Sequence, residues 1–297
     1  MPVESLALLA AACWATASLF SATASAHMGA FAFTRWRMVF ASLILWSIVA
    51  VTGGWRSLAW DGVGLLVLSG LIGIFVGDTA LFACMNRLGP RRSGILFATH
   101  ALFSAVLAWA FLGERIQGFA LLGSALLVGG VMTAIALGKR DDEAHRWEAT
   151  RGRLAVGVAL GLTSALGQSV GTLILKPLMS TGVDPMAASA VRMTAGFGAH
   201  ALLWLSGWAV ARNRARLNLR DLGFTFVSAA VALALGMTLI LQALAHGSAG
   251  LVGLLSSVSP VLLLPLLWWV YGRQPAAGAW GGAVLTVVGC GLILGRS

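Results

Sequence analysis

The residues able to do chemistry in this chain are few, and each lies inside an apolar run long enough to cross about 30 Å of hydrocarbon. Asp78, in Gly77-Asp78-Thr79, sits about two-thirds of the way along the run at 62–86. An ionised Asp at a helix centre costs about 2.5–3.5 kcal/mol on insertion scales. It must therefore face a wet cavity, pair with a cation or carry a proton. Two readings are open: an acid that holds a substrate ammonium or relays a proton, or a structural partner of Arg37 or Arg192. The two arginines divide in the same way. They are gates or carboxylate-attracting charges near opposite surfaces, or helix-end arginines that snorkel or cap carbonyls. His100 titrates near neutral pH if solvated; its structural alternative is a neutral ring hydrogen-bonded inside a bundle.

Helical spacing adds polar stripes to these groups. Trp14, Ser18, Ser21 and Ser25 share one face, as do Ser164, Gln168 and Thr172, then Thr238 and Gln242, then Phe75, Asp78 and Phe82. Lipid does not solvate such stripes, so they line an aqueous cavity or make interhelical hydrogen bonds of about 0.6 kcal/mol each. Pro260 and Pro265 fall in the ninth run, where each frees a carbonyl for a ligand or simply kinks the helix. The expected substrate-contacting set is Trp14, Ser18, Asp78, Thr79, Phe82, His100, Ser164, Gln168, Thr238, Gln242, Ser259 and Pro260, with Arg37 and Arg192 as gating or structural groups. There is no Walker A sequence, no metal-ligand spacing, no nucleophile elbow and no paired-carboxylate site. Neither catalysis nor a cofactor is expected. Cys13, Cys84 and Cys290 lie in three different runs, which suits packing rather than a disulfide or metal site.

The elements that must position these residues follow from composition. Hydrophobic residues make up 59% of the chain and charged residues 10%, with a mean hydropathy of +0.89. A soluble domain carries about 25% charged residues, so the reading is an all-α integral membrane protein. Ten spans are expected, at about 5–25, 30–52, 62–86, 92–111, 116–137, 153–178, 184–207, 221–245, 249–272 and 276–295. The first follows Met-Pro-Val-Glu with no basic stretch, which reads as an uncleaved helix. Basic residues lie mostly in loops, so the net charge of +10 is not a nucleic-acid signature. On the side of the termini stand only Arg56, Arg115, Lys176 and Arg296; the opposite side carries fourteen, from Arg35 to Arg273. The positive-inside rule then places both termini outside the cytoplasm. Trp36, Trp46, Trp55, Trp60, Trp204, Trp208 and Trp280 near span ends read as interface belts; Trp14, Trp109 and Trp268 face substrate or pack.

The chain also repeats itself. A shift of 159 positions lays Gly77-x-Thr79 on Gly236-x-Thr238, Gly94 on Gly253, Trp109-x3-Gly113 on Trp268-x3-Gly272, Gly123 on Gly282 and Gly130 on Gly289. The match extends to Arg37-Met38 over Arg192-Met193 at an offset of 155, and to Trp14-x3-Ser18 over Ser164-x3-Gln168 near 150. Five spans per copy is an odd number, so the copies are inverted in the bilayer, which is the scaffold of secondary transporters. The expected units are 1–138, a polar cytoplasmic linker at 139–152, and 153–297. Gly278-x3-Gly282 and Gly291-x3-Gly295 in the last span are close-packing faces, intramolecular or at a homodimer contact.

Ten spans in two copies, an Arg early in the second and seventh spans, and Leu112-Gly113-Glu114 closing the fourth resemble the drug/metabolite transporter superfamily, EamA type. Ser259-Pro260-Val261 looks like that family's proline segment, while the first copy has His100-Ala101-Leu102. The second copy reads Gly272-Arg273 at the Gly-Glu position, a departure that questions any required role for Glu114. The resemblance implies a bacterial inner-membrane exporter of small metabolites, chiefly amino acids and aromatic ones among them. It would work by alternating access about a cavity lined by spans 1, 3, 4, 6, 8 and 9. The expected partners are a small-molecule substrate and the lipid bilayer, with a monomer expected and a homodimer as the alternative. Rival readings are a flippase for a lipid or lipid-linked sugar and, further off, an integral membrane enzyme.

Overall fold

The computed structural model describes residues 2–114, 117–137, 152–212, 217–271 and 276–294. Residues 139–151 of the expected linker, together with Arg115, Arg214, Arg216, Gly272-Arg273 and Gly295, lie outside them. Among the described residues there are ten membrane-length helical segments and no strand. They are α1 (Val3–Met28), α2 (Ala30–Thr52), α3 (Trp60–Gly89), α4 (Arg92–Leu112) and α5 (Phe119–Ala136) in the first half. The second half holds α6 (Leu154–Met179), α7 (Pro185–Leu205), α8 (Leu219–His246), α9 and α10 (Ala277–Leu294), α9 consisting of Ala249–Ser256 and Ser259–Tyr271. Eight are both long and apolar enough to cross a membrane by composition. The expected ten spans are all present.

The joints are tight. Gly29 (φ 86°) alone separates α1 from α2, and Gly89 (φ 85°) turns α3 into α4. Both backbones lie in the left-handed region, which only glycine enters without strain.

Departures from regular helix recur at equivalent places in the two copies. Gly70–Asp78 of α3 and Ala229–Gly236 of α8 are both π-helical, and the offset of 159 relates them. The helix of α4 breaks at Thr99, and that of α9 at Ser257-Val258, again 159 positions on. This corrects the proline reading. Pro260 falls in the first turn after the break, where its missing N–H is not needed, and the first copy breaks with Ala101 in its place. The break belongs to the repeat; of these two prolines, Pro265 stands inside a helix.

Packing interlocks the halves. α1 packs on α8 and α9, and α6 packs on α3 and the start of α4; α2 meets α7, and α4 meets α9. The most extensive contact joins α5 to α10. A Cβ built at Gly282 would lie 2.5 Å from the Gly130 carbonyl oxygen and 2.6 Å from Ala134 Cα. Small residues there let two backbones meet, where lipid supplies no hydrophobic drive between helices. Gly278 likewise abuts Leu137, so this small-residue face is intramolecular.

Gly282→Ala forces main-chain atoms apart, and overpacking of that kind costs about 1–3 kcal/mol. Neighbouring Gly281 has nothing within 4 Å of a built Cβ. In detergent, Gly282→Ala is expected to lower the thermal midpoint by several degrees, and Gly281→Ala to leave it unchanged. Equal midpoints for the two variants would contradict the α5–α10 seam.

Candidate functional site

The polar centre is built by α2, α3 and α7. Arg37 is eight residues into α2 and only 3% exposed, and its Nη1 donates to Asp78 Oδ2 at 2.6 Å. Phe33 and Phe82 flank the guanidinium, with ring centroids 5.4 and 5.0 Å from Cζ. Those rings meet edge to face at 4.7 Å. The cation is thus held by a charge-assisted hydrogen bond and two aromatic faces. Of the alternatives open for Asp78, the structure selects pairing with Arg37.

Beside this pair lies a residue that the periodicity of the sequence did not single out. His200 of α7 is 1% exposed, and its Nε2 stands 3.1 Å from Thr34 Oγ1 and 3.0 Å from Thr79 Oγ1. The rings of Phe31 and Phe75 cover it edge-on at 5.9 and 4.7 Å. Thr34 donates to the Ala30 carbonyl, so its oxygen accepts from a neighbour. The sequence held one signal for His200: an imidazole in the middle of an apolar span needs a partner.

The second copy builds the same joint with different chemistry. Thr34 and Thr79 face each other at 3.5 Å, and their counterparts Ser189 and Thr238 do so at 3.4 Å. Ser69 donates to the Gly171 carbonyl at 2.5 Å, while the equivalent Ser228 and Ser21 hydroxyls pair at 2.8 Å. Arg192 repeats Arg37, yet Met237 stands where Asp78 does. Arg192 is 0% exposed, and its Nε, Nη1 and Nη2 have no hydrogen-bond partner among the described residues. Neither arginine snorkels, and neither lies near a surface as expected. Both are buried in the bundle.

The polar stripes are mostly spent on structure. Trp14 Nε1 donates to the Ala232 carbonyl across to α8, Ser18 to the Trp14 carbonyl and Thr238 to the Ala234 carbonyl. His100 is buried beside the Phe97 ring, and its carbonyl accepts from Ser169 of α6. The Ser164 hydroxyl is buried without a partner, and Gln168 is half-buried one turn further on. Ser259 and Pro260 are half-buried at the α9 break. Trp109 and Trp268 are 60% and 41% exposed, so they look out from the bundle rather than toward a substrate.

Two cavities open at opposite ends of the bundle. One of about 730 Å³ lies on the side of the N-terminus, among Arg56, Ser57, Asp184, Gln242 and His246. The other, of about 570 Å³, lies among Phe31, Asn86, Arg87, Gly152 and Arg212. Of the expected contact residues, Gln242 lines the first. Phe31 joins the second to the His200 pocket.

Glu114 has a role despite its change in the second copy. Its carboxylate oxygens each accept at 2.9 Å, from the amides of Ala249 and Gly250 at the start of α9. A carboxylate on two free N–H groups at the positive end of a helix is favourable. The equivalent of Ala249 in the first copy is Pro90, which has no N–H to offer.

Comparison with known proteins agrees with this architecture. The model of the EamA-like transporter family matches residues 1–136 and again 155–295, and the chain belongs to that family. The uncharacterized transporter YetK of Bacillus subtilis (strain 168) is 26% identical over 164 residues, 54% of this chain. That match spans 47% of YetK, about half its length. One solved crystal structure superposes with a TM-score of 0.79 over 99% of this chain and 97% of its own, at 16% identity, a likeness of fold.

Breaking a buried ion pair by removing one partner costs about 3–5 kcal/mol, whereas replacing both with apolar residues is close to neutral. Asp78→Leu alone is therefore expected to destabilise the protein strongly, and Arg37→Met with Asp78→Leu to recover most of the loss. Thermal or denaturant unfolding in detergent reads both. A double variant no more stable than Asp78→Leu would mean that the pair is not the main tie.

Proposed function

We propose that this protein is a secondary carrier that exports a small metabolite, an amino acid or close relative, by alternating access. One observation supports the reading above others. Two cavities on opposite sides of the bilayer are separated by a buried polar layer of Arg37, Asp78, His200, Thr34 and Thr79. A carrier needs a midplane site that is open to one side at a time. The family supplies the transporter class. The equivalent breaks in α4 and α9 and the π-helical stretches of α3 and α8 are points where the halves can bend relative to each other. The expected contact residues that remain nearest this layer are Asp78, Thr79 and Phe82, with Gln168 alongside on α6. The energy source is a solute gradient, with or without protons.

The basic loops belong on the cytoplasmic side of a bacterial inner membrane, with both termini in the periplasm. The cavity lined by Arg87 and Arg212 is then the cytoplasmic entrance, as an exporter requires.

Purified protein in liposomes loaded with a broad panel of labelled amino acids is expected to release at least one of them faster than empty vesicles do. Release of none across the panel removes the amino-acid reading. In a background without Cys13, Cys84 and Cys290, a single cysteine placed at 139–150 is expected to react with an impermeant maleimide only after the cells are opened. Labelling of intact spheroplasts would invert the topology and turn the exporter geometry around.

A further inference from the structure

The second copy keeps the arginine of the first and discards its anion. In the first half, Arg37 is neutralised by Asp78 one helix away. In the second half, the same construction carries Arg192 with Met237 in the acid position. The hydroxyl contact of the joint is preserved, since Ser189 and Thr238 repeat the Thr34–Thr79 contact, while Ala188, Leu241 and Leu45 stand where Phe33, Phe82 and His200 do. A wholly buried guanidinium with no anion costs several kcal/mol. Removing the arginine would have been the simpler remedy, and the chain has kept it.

Position sharpens the point. Arg192 lies where α3, α6 and α7 cross. A Cβ built at Gly73 would stand 3.2 Å from Arg192 Nη2, and one built at Gly171 would stand 2.9 Å from Gly73 Cα. Gly70 in turn faces the Arg192 backbone, since a Cβ built there would stand 2.9 Å from the Arg192 Cα. The guanidinium therefore lies against bare main chain, with all its donors unspent. One turn along the same seam, Gly77 and Gly167 bring the main chains of α3 and α6 together beside Gln168. Asp78, paired with Arg37, follows on the same helix α3.

We infer that Arg192 is the carboxylate-binding group of the transported solute, reached when the halves move apart at the α3–α6–α7 crossing. The planar guanidinium matches a carboxylate with two parallel hydrogen bonds. The solute thus supplies to the second half the anion that Asp78 supplies to the first. This assignment rests on the carrier reading and names its substrate class: small carboxylates, of which α-amino acids are the case that also suits a nearby acid. A flexible small-residue seam accounts for how the group becomes accessible, because backbones in contact through glycine separate without repacking side chains.

The test compares each amino acid with its amide and its methyl ester, using thermal stabilisation of the purified protein and counterflow in liposomes. The free acid is expected to stabilise the wild-type protein and to exchange, with the amide and ester at least about tenfold weaker. Arg192→Gln is expected to remove the preference for the acid, and Arg192→Lys to keep part of it. Should Arg192→Gln fail to fold, Met237→Asp serves in its place. It puts an acid at the position equivalent to that of Asp78, so it is expected to raise the thermal midpoint and abolish stabilisation by carboxylates. Equal response of the wild type to acid, amide and ester overturns the inference while leaving a carrier of other solutes intact. So do stabilisation by chloride alone, or undiminished carboxylate selectivity in Arg192→Gln or Met237→Asp. If no solute moves and none stabilises the protein, the carrier reading fails with it.

Discussion

A guanidinium inside hydrocarbon has to be given an anion, and the centre of this protein is organised by how that demand is met. Arg37 receives Asp78 and the faces of Phe33 and Phe82, which together fix α2 against α3. His200 then reaches across from α7 to the threonines on either side of the pair. The ion pair and the His200 contacts together tie three helices from two halves. Arg192 faces the same demand, and no group among the described residues answers it. The difference between the two arginines is the strongest asymmetry in a molecule built by duplication.

Close approach of main chain is the second condition. Lipid gives helices no hydrophobic reason to associate, so contact area and interhelical hydrogen bonds must suffice. Glycines at 73 and 77 on α3 and at 167 and 171 on α6 bring two backbones into contact, Gly70 lies against α7, and α5 and α10 meet in the same way through Gly130 and Gly282. The α3–α6 seam runs past the charged centre, while the α5–α10 seam lies apart from it. Both join helices from different halves, and both do so through main chain rather than interlocking side chains.

Equivalent irregularities deserve the same physical treatment in both copies. The π-helical stretches and the breaks at Thr99 and Ser257-Val258 recur at one offset although the sequences around them differ. Pro260 marks one break and nothing comparable marks the other. The breaks therefore come from how α4 and α9 pack on α6 and α1, and the proline is compatible with one of them rather than its cause.

Much of the scaffold was legible in the sequence alone. Apolar run length fixed the spans, because crossing a bilayer needs about twenty residues whatever their neighbours. Glycine and arginine coincidences at 159 and 155 exposed the repeat, and even the pairing of Thr34–Thr79 with Ser189–Thr238 obeys those offsets. The candidate site was legible only in part. Helical spacing says which residues share a face, not what that face meets, so Ser18, Trp14 and Thr238 read as cavity lining when they bond to carbonyls. His200 belongs to none of those stripes. Asp78 could be placed at membrane depth from sequence, but its choice of Arg37 over Arg192 depended on which helices lie side by side. Burial, partner and vacancy are properties of contacts between distant segments. The chain wrote the charges at fixed places, and only the tertiary structure decided which of them were neutralised.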